Sequence, residues 1–97
     1  MISSTRHDNG VVEVVVDHPP VNALPVQGWF DLATAVTEAG ADKATRAVVL
    51  RAEGRGFNAG VDIKEFQRDE TFQSLVGANR GCFAAFAAVY ECPVPVV

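Results

Sequence analysis

Gly54, Gly56 and Gly60 fall within residues 51–60, a glycine density that no regular element sustains, so this stretch is a shaped loop. An apolar run, Ala47-Val48-Val49-Leu50, precedes it, and residues 61–66 have the character of a helical turn. Strand-to-helix turns of α/β proteins present main-chain N–H groups to anions and to developing negative charge. The candidate donor here is the N–H of Val61. Gly60 would let a ligand approach the backbone closely, and Asp62 is placed at or near the N-cap, where it would hold the turn. The chemistry on offer is stabilisation of an oxyanion by a main-chain amide.

Taken alone, the loop reads more readily as a structural turn. Its glycine spacing is not the G-x-G-x-x-G of a dinucleotide site, and no G-K-[ST] triplet marks a phosphate loop. Asp62, Glu65 and Glu91 invite an acid/base role, but helix-start and surface positions account for them. His7 and His18 stand far in sequence from the loop. Arg51, Arg55 and Lys64 offer cationic partners for phosphates or plain solvated charge. Trp29, Phe30, Phe83, Phe86 and Tyr90 have core spacing and are expected to pack first and to line a pocket second.

The elements that must position the loop are legible. Val11-Val12-Glu13-Val14-Val15-Val16-Asp17 is a β-branched strand, and Asn9-Gly10 before it predicts a hairpin with residues 2–7. His18-Pro19-Pro20 ends the strand pattern. Pro25 suits the first turn of a helix carrying Val26, Trp29, Phe30, Ala33 and Val36 on one face, with Gly40 as its expected stop. Residues 47–50 are apolar without alternation, the habit of a parallel strand buried on both faces. Residues 67–71 are polar and expected to be mobile, and residues 72–90 return to helical spacing. The second half of that helix, residues 81–90, is apolar nearly all round and is expected to be buried on several sides. Pro93 and Pro95 end it, and Val94, Val96 and Val97 read as the opening of another strand, so residues 1–97 are expected to be the front of one domain cut in mid-strand.

A chain of 97 residues with 48% hydrophobic and 21% charged residues has the composition of one globular domain. A net charge of −4 with scattered Lys and Arg argues against a nucleic-acid or anionic-membrane partner. No stretch approaches a membrane span, and residues 1–7 lack the apolar core of a secretion signal, which makes the cytoplasm the expected location. Cys82 and Cys92 have neither the spacing nor the His company of a metal site and are expected to be reduced structural thiols.

The run Gly56-Phe57-Asn58-Ala59-Gly60-Val61-Asp62-Ile63-Lys64, with Asn22-Ala23-Leu24 upstream between the first strands and the first long helix, resembles the hallmark of the enoyl-CoA hydratase/isomerase (crotonase) family. The resemblance runs from the Val-rich strand to Cys92-Pro93-Val94-Pro95-Val96-Val97. It implies an α/β fold, a spiral of ββα units, of which this chain would be the N-terminal portion, usually assembled as a trimer or hexamer. It implies an acyl-CoA substrate, with coenzyme A entering as part of that substrate and no separate cofactor or metal. Val61 N–H matches the first of two donors to the thioester carbonyl. Asn22, Ala23, Leu24, Ala59, Gly60, Val61, Asp62 and Ile63 match the CoA- and substrate-binding segments. Family members often carry Ala at the donor position, and the β-branched Val61 would reshape the acyl pocket.

The family's second donor falls after the strand that begins near Val96, and its acid/base carboxylates come later, so the 97 residues alone are expected to be inert. Glu53 to Asp62, together with Asn79-Arg80-Gly81-Cys82-Phe83, resembles actinobacterial members that process CoA thioesters from sterol-ring breakdown, including a hydrolytic ring opening. Two alternatives stay beside hydration or isomerisation: such a ring-opening hydrolase, and a non-catalytic CoA-binding or oligomer-forming fragment. The distantly related Clp-type peptidase fold leaves the CoA-pocket motifs without a purpose.

Overall fold

A computed structural model describes residues 1–97. Two strands, β1 (Ile2–Arg6) and β2 (Val11–Val16), form the expected hairpin, with Ile2 opposite Val16 and Arg6 opposite Val12. Gly10 closes the turn at φ +89°, a left-handed conformation suited to glycine, and the Asn9 side chain accepts the Val11 N–H at 3.1 Å. Helix α1 (Val26–Ala41) then crosses to β3 (Ala47–Ala52), which pairs in parallel with β2 in the order β1-β2-β3. After the glycine loop come α2 (Ile63–Arg68) and α3 (Gln73–Glu91). Val96 forms a parallel bridge to Val48, so the closing valines do begin to extend the sheet beside β3. No helix is long and apolar enough to cross a membrane.

The core lies between the sheet and α1. Val12, Val14 and Val16 of β2 and Val48 of β3 meet Trp29, Leu32, Ala33 and Val36 of α1, and α3 closes the cluster with Ala85. Burying these apolar side chains removes their area from water at about 25 cal/mol per Å², the principal force holding the layers together. Of the continuous apolar run in β3, only Val48 is fully buried and its neighbours are half-buried, so the strand is parallel as expected but covered less completely.

Three expectations are corrected. Gly40 does not stop α1, which continues to Ala41; it is buried where a Cβ would stand 2.7 Å from Cys92 Sγ, so its smallness serves helix-to-chain packing. Residues 67–71 are not a featureless polar link. Gln67 and Arg68 complete α2, and the Asp69 carboxylate accepts from the Thr71 N–H, the Thr71 hydroxyl and the Ser74 N–H, which holds it well below the usual carboxylate range. Finally, α3 is not enclosed on several sides: it buries only Ala78, Gly81 and Ala85, while Phe83 and Tyr90 are exposed, as is Phe30 of α1 at its margin. Its small residues face α1, and its aromatic face has no cover from these 97 residues.

Gly81 sets the distance between the two long helices. A Cβ there would stand 2.9 Å from Trp29 Cβ, which is anchored to the opposite helix and has no rotamer with which to escape. We expect Gly81→Ala to destabilise the full-length protein by about 1–3 kcal/mol through overpacking, although alanine gains up to about 1 kcal/mol in helix propensity. Urea denaturation would read the difference; a gain in stability would mean that the helices have slack.

Candidate functional site

Asn22 is a principal anchor of the loop. It lies in the left-handed region at φ +59°, which asparagine tolerates better than most residues. It is also almost wholly buried. Its amide Nδ2 donates to Glu53 O at 2.7 Å and Gly56 O at 3.0 Å, while its Oδ1 accepts the His18 N–H at 2.7 Å. The Asn22 carbonyl in turn accepts from Asn58 Nδ2 at 2.6 Å, and Asn58 Oδ1 takes the Gly60 N–H at 2.9 Å. Two asparagines thus lock the glycine loop onto the segment that leads into α1.

That lock brings Leu24 and Val61 into a parallel β-bridge. Leu24 N–H donates to Gly60 O at 2.9 Å, and Leu24 O accepts from Asp62 N–H at 3.0 Å. In this pattern residue 24 makes both bonds, so the N–H and C=O of Val61 point away from it. The Val61 N–H makes no hydrogen bond within the chain. Beside it, Gly60 is at φ +91° with open space where a Cβ would be.

The α2 helix starts immediately behind the donor. Asp62 is its N-cap and accepts the Lys64 N–H through Oδ1 at 3.0 Å. Glu65 reaches across to accept the Val26 N–H, the first of α1, at 3.2 Å, and so ties the starts of the two helices together. Two of the three carboxylates weighed for acid/base work therefore serve helix starts, and the third, Glu91, lies exposed in the last turn of α3.

Three concavities surround the bridge. An apolar cavity of about 200 Å³ is walled by Leu24 and Phe57 on the loop side and by residues of β2, β3, α1 and α3 beneath. A cleft of about 220 Å³ includes His18, Ala23, Asp62 and Lys64, and a broader one of about 410 Å³ includes Arg55, Gly56, Asn58 and Ala59; Pro20 and Val21 belong to both. Of the three cations near the loop, Arg51 is engaged by Glu13 at 2.8 Å and Glu53 at 2.7 Å. Hydrogen bonds from Arg51 and then His7 hold the Glu13 carboxyl below its ordinary value. Arg55 and Lys64 line the clefts instead.

The structure thus brings Asn22, Ala23, Leu24, Ala59, Gly60, Val61 and Asp62 together around one bridge, with the side chain of Ile63 exposed at the start of α2. Sequence reasoning passed over Asn58 as an individual anchor, although an asparagine two residues before a glycine is a recognisable Asx turn. It also missed Glu65 as a partner of α1, for which a separation of 39 residues leaves no local signal.

Comparison with known proteins gives the family of the chain. The model of the family described as enoyl-CoA hydratase/isomerase matches residues 6–97. The chain is 70% identical over 96 residues to a Mycobacterium tuberculosis protein named (7aS)-7a-methyl-1,5-dioxo-2,3,5,6,7,7a-hexahydro-1H-indene-carboxyl-CoA hydrolase, covering 99% of this chain and 39% of that one. It is 62% identical to the Rhodococcus jostii protein of the same name, again over 99% of this chain but 37% of the relative. Among solved structures, an enoyl-CoA hydratase from Mycobacterium smegmatis superposes with a TM-score of 0.88 at 30% identity, covering 98% of this chain and 37% of that one. A further structure, of an enoyl-CoA hydratase/isomerase from Mycobacterium abscessus, gives 0.86 at 30% identity over 99% and 38%. The chain therefore spans under two-fifths of the length of these relatives. With the family match extending from β1 to Val97 and the fold shared with solved members, this chain belongs to the enoyl-CoA hydratase/isomerase family.

Proposed function

We propose that these residues form the first oxyanion donor and part of the CoA-binding surface of an acyl-CoA thioester enzyme. The observation that carries this reading is the unpartnered Val61 N–H, fixed by the Leu24 bridge beside open space at Gly60. A thioester carbonyl set on that amide gains a hydrogen bond that strengthens as negative charge grows on oxygen, which is the differential binding that lowers a barrier. The acyl group would enter the apolar cavity behind Leu24. The CoA portion would follow the clefts at Asn22–Leu24 and Ala59–Ile63, where Arg55 and Lys64 supply positive charge near phosphates. The second donor, the acid/base groups, the trimeric or hexameric assembly and a cytoplasmic setting belong to the same proposal for the full-length protein.

Hydration or isomerisation of an unsaturated acyl-CoA is the reading that the family supports in general. The 70% identity to a protein named as a hydrolase of a bicyclic diketone CoA thioester favours hydrolysis for this one. The test is to give full-length protein that hydrolase's substrate and, separately, a short unsaturated acyl-CoA, following both by mass spectrometry. Hydrolytic ring opening should add one water to the first while retaining the thioester and leave the second nearly untouched. Turnover of the second alone would favour the hydratase reading, and turnover of neither would remove the enzymatic proposal.

A further inference from the structure

The peptide that carries the Val61 N–H is held through its oxygen, since Gly60 O accepts the Leu24 N–H at 2.9 Å. The other bond of the bridge, from Asp62 N–H to Leu24 O, restrains the following peptide. One hydrogen bond on one atom leaves a pivot. The residue before it resists rocking very little, because Gly60 sits at φ +91° and has no Cβ to meet its surroundings. A second restraint comes from Asn58. Its Oδ1 accepts the Gly60 N–H at 2.9 Å, and its Nδ2 donates to Asn22 O at 2.6 Å. The glycine is thus clamped at both its N–H and its carbonyl, with Asn58 tied in turn to the buried Asn22.

Resting on the thioester-enzyme reading above, we propose that Asn58 is a positioning residue for the oxyanion donor: by holding the Gly60 N–H it takes the rotational freedom out of the glycine and keeps the Val61 N–H aimed at the thioester oxygen. An amide lowers the barrier only if it is oriented before charge develops, because reorienting it during the reaction would offset the gain. A misplacement of about 1 Å can cost about 10²-fold in rate. The same bond keeps the Gly60 N–H occupied. Of the two consecutive amides at the glycine, only that of Val61 is left to a ligand, so the loop offers a single donor and not the paired N–H groups of an anion-binding nest. Asn58 touches no reacting atom. It is also an exposed residue, so its effect on rate is separable from any effect on folding.

The test compares Asn58→Ala and Asn58→Ser in the full-length protein, assayed on whichever of the two thioesters named above the wild type turns over. Alanine removes both bonds and should lower kcat about tenfold or more, with KM within about twofold and Tm within about 2 °C of the wild type. Serine gives up the donor to Asn22 but keeps a hydroxyl that can accept the N–H two residues on, and should recover most of the lost kcat. A merely structural anchor behaves otherwise: Tm falls, KM rises along with the loss in kcat, and serine brings no rescue. That result, or an unchanged kcat in Asn58→Ala, would overturn the assignment while leaving the thioester enzyme in place. Wild-type protein that turned over neither thioester would sink the enzymatic reading itself and this one with it, an outcome distinct from the other two.

Discussion

Val61→Pro in the full-length protein should lower kcat by about 10²–10³-fold, the usual cost of removing one oxyanion donor, while Val61→Ala should retain most of the rate. The contrast isolates the main-chain N–H, because both substitutions shorten or alter the side chain and only proline deletes the donor. Proline also restricts the residue before it, and Gly60 is at φ +91°, so thermal unfolding of the variant must accompany the kinetics. Replacing the same amide by an ester removes the N–H without a ring and provides a second route to the measurement. A folded protein that kept its full rate after losing this N–H would show that the Leu24–Val61 bridge does not hold the oxyanion donor.

Asn22→Ala should destabilise the full-length protein by about 2–4 kcal/mol, read from chemical denaturation. The substitution strands the His18 N–H and leaves Glu53 O and Gly56 O without their shared donor. It also places a Cβ-bearing residue with no compensating hydrogen bond at φ +59°. Asn22→Gly separates the two costs, since glycine accepts the left-handed conformation freely; it should recover about 1 kcal/mol relative to alanine. Asn22→Asp keeps the acceptor towards His18 but turns a carboxylate oxygen towards two carbonyls, and should be no better than alanine. A loss below about 0.5 kcal/mol for Asn22→Ala, within the range of ordinary surface changes, would mean that the loop is held by other contacts.

How much of this was readable from the chain alone depends on whether the signal is local. The valines of β2, the Asn9-Gly10 turn, the apolar stripe of α1 and the cap at Asp62 are each fixed by neighbours a few residues away, and the structure has all four. The order of strand, glycine loop and helix start around Val61 was also legible, because the residue types change within a few positions. Gly40 misled because a helix stop and a close tertiary approach both call for glycine, and only the position of Cys92 tells them apart. Residues 81–90 misled because apolar composition records what a surface needs and not what is present to cover it. The unpaired Trp29 indole and the Glu65–Val26 bond have no sequence signature, since each depends on which distant backbone arrives alongside.

The Leu24–Val61 bridge separates two properties that enzymes often have to trade against each other. Because main-chain bonds at Gly60 and Asp62 fix the amide, no side chain at position 61 is needed to aim it. On the proposed thioester reading, substitution at 61 is free to follow changes in the acyl group while the amide stays where the Leu24 bonds hold it. The backbone of a glycine loop, usually a weak point, is here the part pinned by hydrogen bonds on both sides.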